Sequence, residues 1–170
     1  MGVRDQLRFP NPVNELVARV VAAGVVLQAV AFLVTRWPIF LVTLAVGFGL
    51  RVLAGPRWSP LALLASRVIV PRLPVAPKMV PGPPKRFAQG IGAMVTTAAL
   101  VTWLVGAEGL ALVLVGLIVV AAVLESVFAV CLGCRIFAGL MRIGVIPASV
   151  CVECADISAR VRERAAAGGS

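Results

Sequence analysis

Leu110-Ala-Leu-Val-Leu-Val-Gly-Leu-Ile-Val-Val-Ala-Ala-Val-Leu-Glu125-Ser-Val-Phe-Ala-Val-Cys131-Leu-Gly-Cys134 is an apolar run, interrupted by Glu125 and closed by a Cys-x-x-Cys pair. From Leu110 to Leu132 it is long enough to cross a bilayer, which takes roughly 20 residues. Three further stretches read the same way: about Leu16 to Val34, Pro38 to Ala54, and Phe87 to Val105. Thr35-Arg36-Trp37 joins the first two, and Gly106-Ala107-Glu108-Gly109 joins the last two, so each pair is expected to be an antiparallel hairpin.

Composition supports lipid as the solvent. The chain is 61% hydrophobic and 14% charged, with a mean hydropathy of +1.04. Soluble domains average about 45–50% apolar and about 25% charged, because they must cover their surface with polar groups. The net charge of +9 is spread along the chain without aromatic interleaving or a nucleic-acid-binding signature. Anionic headgroups, not nucleic acid, are the partner it suits. The chain has no histidine, which excludes imidazole bases and ligands.

Charge placement predicts orientation. Arg4 and Arg8 precede the first span; Arg57, Arg67, Arg72, Lys78, Lys85 and Arg86 lie between the hairpins; Arg135, Arg142, Arg160, Arg162 and Arg164 follow the last. Against these thirteen cations stands Arg36 alone on the other side, with Arg19 and Arg51 inside spans. The positive-inside rule then puts both termini and the middle connector on the cytoplasmic side. Trp37 and Trp103 fall at the outer interface and Trp58 at the inner one. Asp5, Glu15 and Arg19 disturb the charge layout of a cleaved signal peptide.

The expected fold class is an all-α membrane protein, with four transmembrane helices as two repeated hairpins plus amphipathic surface helices. Its membrane domain covers residues 1–144, in halves of about 8–71 and 86–144, and residues 145–170 form a cytoplasmic tail. Arg8-Phe9 and Arg86-Phe87 precede the two hairpins in parallel fashion. Ser59 is read as a helix cap with Pro60 at the first helical position, and Gly144 as the stop of a surface helix bearing Ile136, Phe137, Leu140, Met141 and Ile143. The prolines from Pro71 to Pro84 predict an extended linker over Val70–Pro84. Gly24, Gly47, Gly49, Gly90, Gly92, Ala98 and Gly116 are expected to permit close helix packing.

Cys131, Cys134, Cys151 and Cys154 form two Cys-x-x-Cys pairs. Three uses stay open: a tetrahedral zinc site of all four sulfurs, redox-active dithiols or sulfur relays, and small apolar packing groups. Ser149 is expected to cap a last helix from about Val150 to Arg164, with Cys151 and Cys154 in its first turns. Glu125 is expected to pair with Arg51 or Arg19 and join the hairpins; a small transporter using Glu125 is the functional alternative.

Pro83-Pro84-Lys85-Arg86-Phe87-Ala88-Gln89-Gly90, Cys131-Leu132-Gly133-Cys134 and the corner Gly55-Pro56-Arg57-Trp58-Ser59-Pro60 resemble a bacterial, actinobacterial-type membrane family, domain of unknown function four-three-nine-five. The likeness covers most of residues 8–155, with Cys151 and Cys154 as an extension. It implies the membrane fold. Through thioredoxin-like and rhodanese-like neighbours of similar members it also implies thiol or sulfur chemistry with such cytosolic partners. It supplies no reaction.

Overall fold

The computed structural model describes residues 11–55, 58–76 and 78–151. About 80% of them are helical. β1 (Val13–Asn14) leads into α1 (Glu15–Thr35), and Arg36-Trp37 turns the chain into α2 (Pro38–Ala54). α3 starts at Pro60–Leu64, widens into a π-helical turn at Ala65–Ile69 and tightens into a 3-10 turn at Val70–Arg72. β2 (Met79–Val80), α4 (Gly82–Leu104), α5 (Glu108–Phe128), α6 (Leu132–Arg142) and a 3-10 turn at Ala148–Val150 follow.

Among the described residues, α1, α4 and α5 are long and apolar enough to cross a membrane. α2 is also apolar, but its 17 residues put it below that length. It rises about 25 Å at 1.5 Å per residue.

The helices close into a ring. α2 packs most extensively on α4 and α1 on α5, whereas α1 and α2, the pair with the two-residue connection, share a smaller contact. The central core draws on all four: Val25, Ala29 and Phe32 from α1; Leu41, Leu44 and Phe48 from α2; Ala99 from α4; Val115, Ile118 and Ala122 from α5. Many other large apolar side chains, such as Val46, Met94, Val113 and Val120, face outward. That is the inverse of a water-soluble bundle and is what a hydrocarbon solvent permits.

Two arginines fasten the cross-packed pairs. Arg19 on α1 donates from Nε and Nη2 to the carbonyls of Ser126 and Val127, at 3.0 and 3.1 Å, in the last turn of α5. Arg86 on α4 donates from Nε to the Val52 carbonyl of α2 at 3.0 Å. The final carbonyls of a helix have no intrahelical partner and carry partial negative charge, so a guanidinium is well placed there.

Local chemistry sets several helix ends. Asn14, not singled out from sequence, caps α1, its Oδ1 accepting from the Leu16 amide at 2.9 Å. Gly144 adopts φ +80° just after α6, where a left-handed residue ends a helix without steric cost. α3 begins at Pro60 as read, but the Ser59 hydroxyl makes no cap bond; it is fully buried and accepts from Arg51 Nη1 at 3.3 Å. The buried guanidinium outcompetes the helix amides for that oxygen.

The linker reading of Val70–Pro84 needs correction at both ends. Pro71 sits in the 3-10 turn, and Pro83 and Pro84 lie inside the first turn of α4. First-turn amides have no intrahelical acceptor, so prolines there forfeit nothing. The middle of that segment is instead tied to the N-terminal strand: Val13 pairs with Val80 and Asn14 with Met79, antiparallel. Glu15 meets Lys78 at 3.0 Å.

Of the small residues expected at helix contacts, Gly24 abuts Leu61 and Gly92 abuts the Phe48 ring so closely that a Cβ would collide. Gly49, Gly90 and Gly116 have nothing within 4 Å. Residues 1–10 and 152–170, including Cys154 and most of the expected last helix, lie outside the described residues.

Candidate functional site

α5 ends at Phe128 rather than Leu132. Ala129 is left-handed at φ 56°, and its amide and that of Val130 both return to the Leu124 carbonyl. This tight exit redirects the chain, so Cys131 becomes the N-cap of α6 rather than the last turn of α5. Its sulfur accepts from the Cys134 amide at 3.3 Å, the bond a capping oxygen makes to the third helical residue. The dithiol thus occupies the N-terminal end of α6, where the aligned peptide dipoles favour a thiolate.

Gly133 makes the placement possible. A Cβ on it would lie 2.6 Å from the backbone Cα of Ala88, so α6 enters against the backbone of α4. Further along, Phe137 is buried, its ring centroid 5.5 Å from that of Phe87. These two contacts hold the first turns of α6 on α4.

The charged partners come from above. Lys85 Nζ lies 2.5 Å from Glu125 Oε1, with both side chains largely enclosed. The expected Glu125 pair with Arg51 or Arg19 is therefore corrected: Glu125 meets Lys85. Lys85 reaches it because α4 begins a turn and a half earlier than the apolar pattern implies, which lifts this lysine out of the connector and into the bundle. Arg51 lies near enough to feel the carboxylate, but its own bonds run from Nε to Gln89 Oε1 at 2.8 Å and from Nη1 to Ser59. Its guanidinium also stacks on Phe48, 4.5 Å from the centroid. Arg19 takes the two carbonyls that follow Glu125, described above. Lys85, Gln89 and Ser59 were not legible as site residues from sequence; the signal available was only that Ser59 and Lys85 stand within a few residues of a helix start, while Gln89 lies two turns into α4.

Cys131 is buried and Cys134 partly exposed, and both are free thiols. The Cys134 thiol donates to Cys131 and lowers its pKa, helped by the Lys85 cation and the Cys134 amide; burial and Glu125 work against this. The same bond, with burial, pushes the Cys134 thiol up. Cys131 is thus the more acidic thiol of the pair. Alkylation of Cys131 by iodoacetamide is expected to rise with pH through a midpoint below the ordinary thiol value, and Cys134→Ala should move that midpoint upward. A midpoint unchanged by the substitution would remove the hydrogen bond from the account. The sign for stability follows: because the folded pKa is the lower one, the contribution is complete above the unfolded value of about 8.5 and is lost as pH falls through the folded value.

Cys151 is disulfide-bonded, and neither Cys131 nor Cys134 is its partner, since both are free. Its neighbour Val150 lines a groove with Arg86, Phe87 and Phe137, whereas Cys131 lines a cavity with Gln89 and Gly92. Among the described residues no group of three or more Cys, Asp or Glu is placed to hold a metal ion. The structure therefore brings Cys131, Cys134, Lys85 and Glu125 together, with Arg51 one shell of side chains away, and does not gather the described sulfurs at one point.

No curated protein and no solved structure matches this chain. The family model described as Domain of unknown function (DUF4395) matches residues 13–142, and with the Arg86-Phe87-Ala88-Gln89-Gly90 entry and the Cys131–Cys134 cap inside that span the chain belongs to this family.

Proposed function

We propose that the protein is a membrane-anchored dithiol module, in which Cys131 and Cys134 exchange electrons or sulfur with thioredoxin-like or rhodanese-like partners in the cytosol. The observation that carries this reading is the Cys131 sulfur capping α6 while a neighbouring thiol, an amide and a lysine all favour its thiolate. A buried structural cysteine needs none of these. The disulfide at Cys151 further favours redox use of this region over a four-thiolate zinc scaffold.

In this reading α2 also crosses the bilayer, completing four spans in two parallel halves about 8–71 and 86–144. The reciprocal packing of α1 on α5 and α2 on α4, each with an arginine closing the partner's last turn, supports such a repeat. Both termini and the dithiol then face the cytoplasm of the plasma membrane, with Trp37 and the Trp103–Phe32 edge contact at the opposite interface.

Thiol trapping in intact cells tests it. After oxidant challenge a Cys131–Cys134 disulfide should form and then be reduced again. Cys134→Ser should instead accumulate a mixed disulfide from Cys131 to the partner, because the resolving thiol is gone. A Cys131–Cys134 pair that stays fully reduced through the challenge would sink the proposal.

A further inference from the structure

A cavity of about 310 Å³ lies between α1, α2, α4, α5 and the start of α6, and Cys131 is among the residues that line it. That volume falls at the lower end of the roughly 300–1,000 Å³ of small-molecule sites. Its polar side chains are few and converge at one end: Arg51, Gln89, Glu125 and Cys131. The rest of the lining is apolar, and part of it faces outward. Leu117 and Val120 on α5 and Ile136 on α6 line the cavity and are more than half, or half, exposed at 58%, 57% and 50%. These residues lie on or beside helices long enough to span a membrane, so the mouth opens sideways into lipid. Whatever enters is itself lipid-soluble and carries a polar, hydrogen-bonding head toward the thiol.

The geometry points to a membrane quinone as the occupant and as the oxidant of the Cys131–Cys134 dithiol. This inference rests on the dithiol reading above and names its electron acceptor. A quinone is the lipid-soluble class that accepts two electrons and two protons, which is what a dithiol releases on closing to a disulfide. Its carbonyl oxygens gain charge on reduction and suit the donors of Arg51 and Gln89, while its ring and prenyl tail suit the apolar walls. Balanced, the step begins with the Cys131 thiolate adding to a ring carbon. Cys134 then attacks Cys131 Sγ; the S–S bond forms as the S–C bond breaks and its electron pair stays on the ring. The two thiol protons end on the quinone oxygens. The dithiol is oxidised to a disulfide, and the quinone is reduced to the quinol.

The test uses the full chain in lipid nanodiscs, reduced and freed of reductant without oxygen, with decylubiquinone, whose ring is fully substituted and so resists lasting arylation. The expected result is a new Cys131–Cys134 disulfide on peptide mapping, formed one for one with quinone reduced beyond any that re-forms the Cys151 disulfide. Cys131→Ser should abolish that increment. Ala121→Phe on α5, or Ala18→Leu on α1 should the first not fold, narrows the cavity; each should raise the half-saturating quinone concentration about tenfold or more while the maximal rate is kept. If diamide closes the disulfide but decylubiquinone does not react, the quinone inference falls and the dithiol reading stands. If quinone reduction is untouched by either narrowing variant, the cavity is not the site and the inference also falls. If diamide too fails to join Cys131 to Cys134, the dithiol reading itself falls, and the inference with it.

Discussion

Lys85→Met is expected to destabilise the protein by about 3–5 kcal/mol, the cost of leaving one member of an enclosed ion pair without its partner. Glu125 is 16% exposed and Lys85 10%, so water cannot substitute for the missing cation. The lysine sits where only that partner justifies it, in the first turn of α4, where the helix dipole repels positive charge. The double substitution Lys85→Met with Glu125→Leu should recover most of the loss, because two apolar groups of similar size remove the desolvation cost along with the attraction. Thermal or denaturant unfolding in one detergent, across the four proteins of the cycle, measures the coupling. Equal midpoints for Lys85→Met and wild type would show that the pair holds nothing together. The same single substitution should slow alkylation of Cys131 near neutral pH, since Lys85 is one of the charges that favour its thiolate.

The second large effect is expected at Gly133. Valine there drives its Cβ into the Ala88 backbone, and a helix backbone cannot move aside as a flexible side chain can. Overpacking of this kind costs typically about 1–3 kcal/mol. The greater consequence is for the site: α6 must lift from α4, loosening the Phe87–Phe137 contact and the turn that keeps the Cys131 sulfur over the Cys134 amide. Loss of the low-pH alkylation of Cys131, with slower closure of the Cys131–Cys134 disulfide by diamide, is the result to look for. Ala88→Gly should rescue only in part, since the colliding atoms include the Ala88 Cα as well as its Cβ. Unchanged alkylation and disulfide closure in Gly133→Val would mean that the approach of α6 to α4 does not position the dithiol.

The elements that declared themselves in sequence did so through strong, local chemistry. Apolar runs marked α1, α2, α4 and α5; Pro60 marked the start of α3; Gly144 marked the end of α6. Their ends were harder to read. Pro83-Pro84 looked like a break and is a helix start; the run through Cys131 looked continuous and is cut at Ala129, a residue with no preference for the left-handed conformation it holds. Such boundaries are set by the packing that follows them, not by the residues alone.

Sequence by itself determined that this is a helical, lipid-compatible chain of two short-looped helix pairs ending in paired cysteines, because burial in hydrocarbon and proline geometry act residue by residue. It could also mark Glu125 and Arg51 as charges in an apolar setting. Only the tertiary structure decided which charge Glu125 meets, since Lys85, Arg51 and Arg19 were all within reach of an unpacked chain. It also decided that the two pairs close crosswise, α1 on α5 and α2 on α4, and that a glycine beneath α6 brings one thiol over a helix end. Those outcomes are long-range: they depend on which backbones can touch, and a pattern read along one strand of sequence carries no information about the surface it will press against.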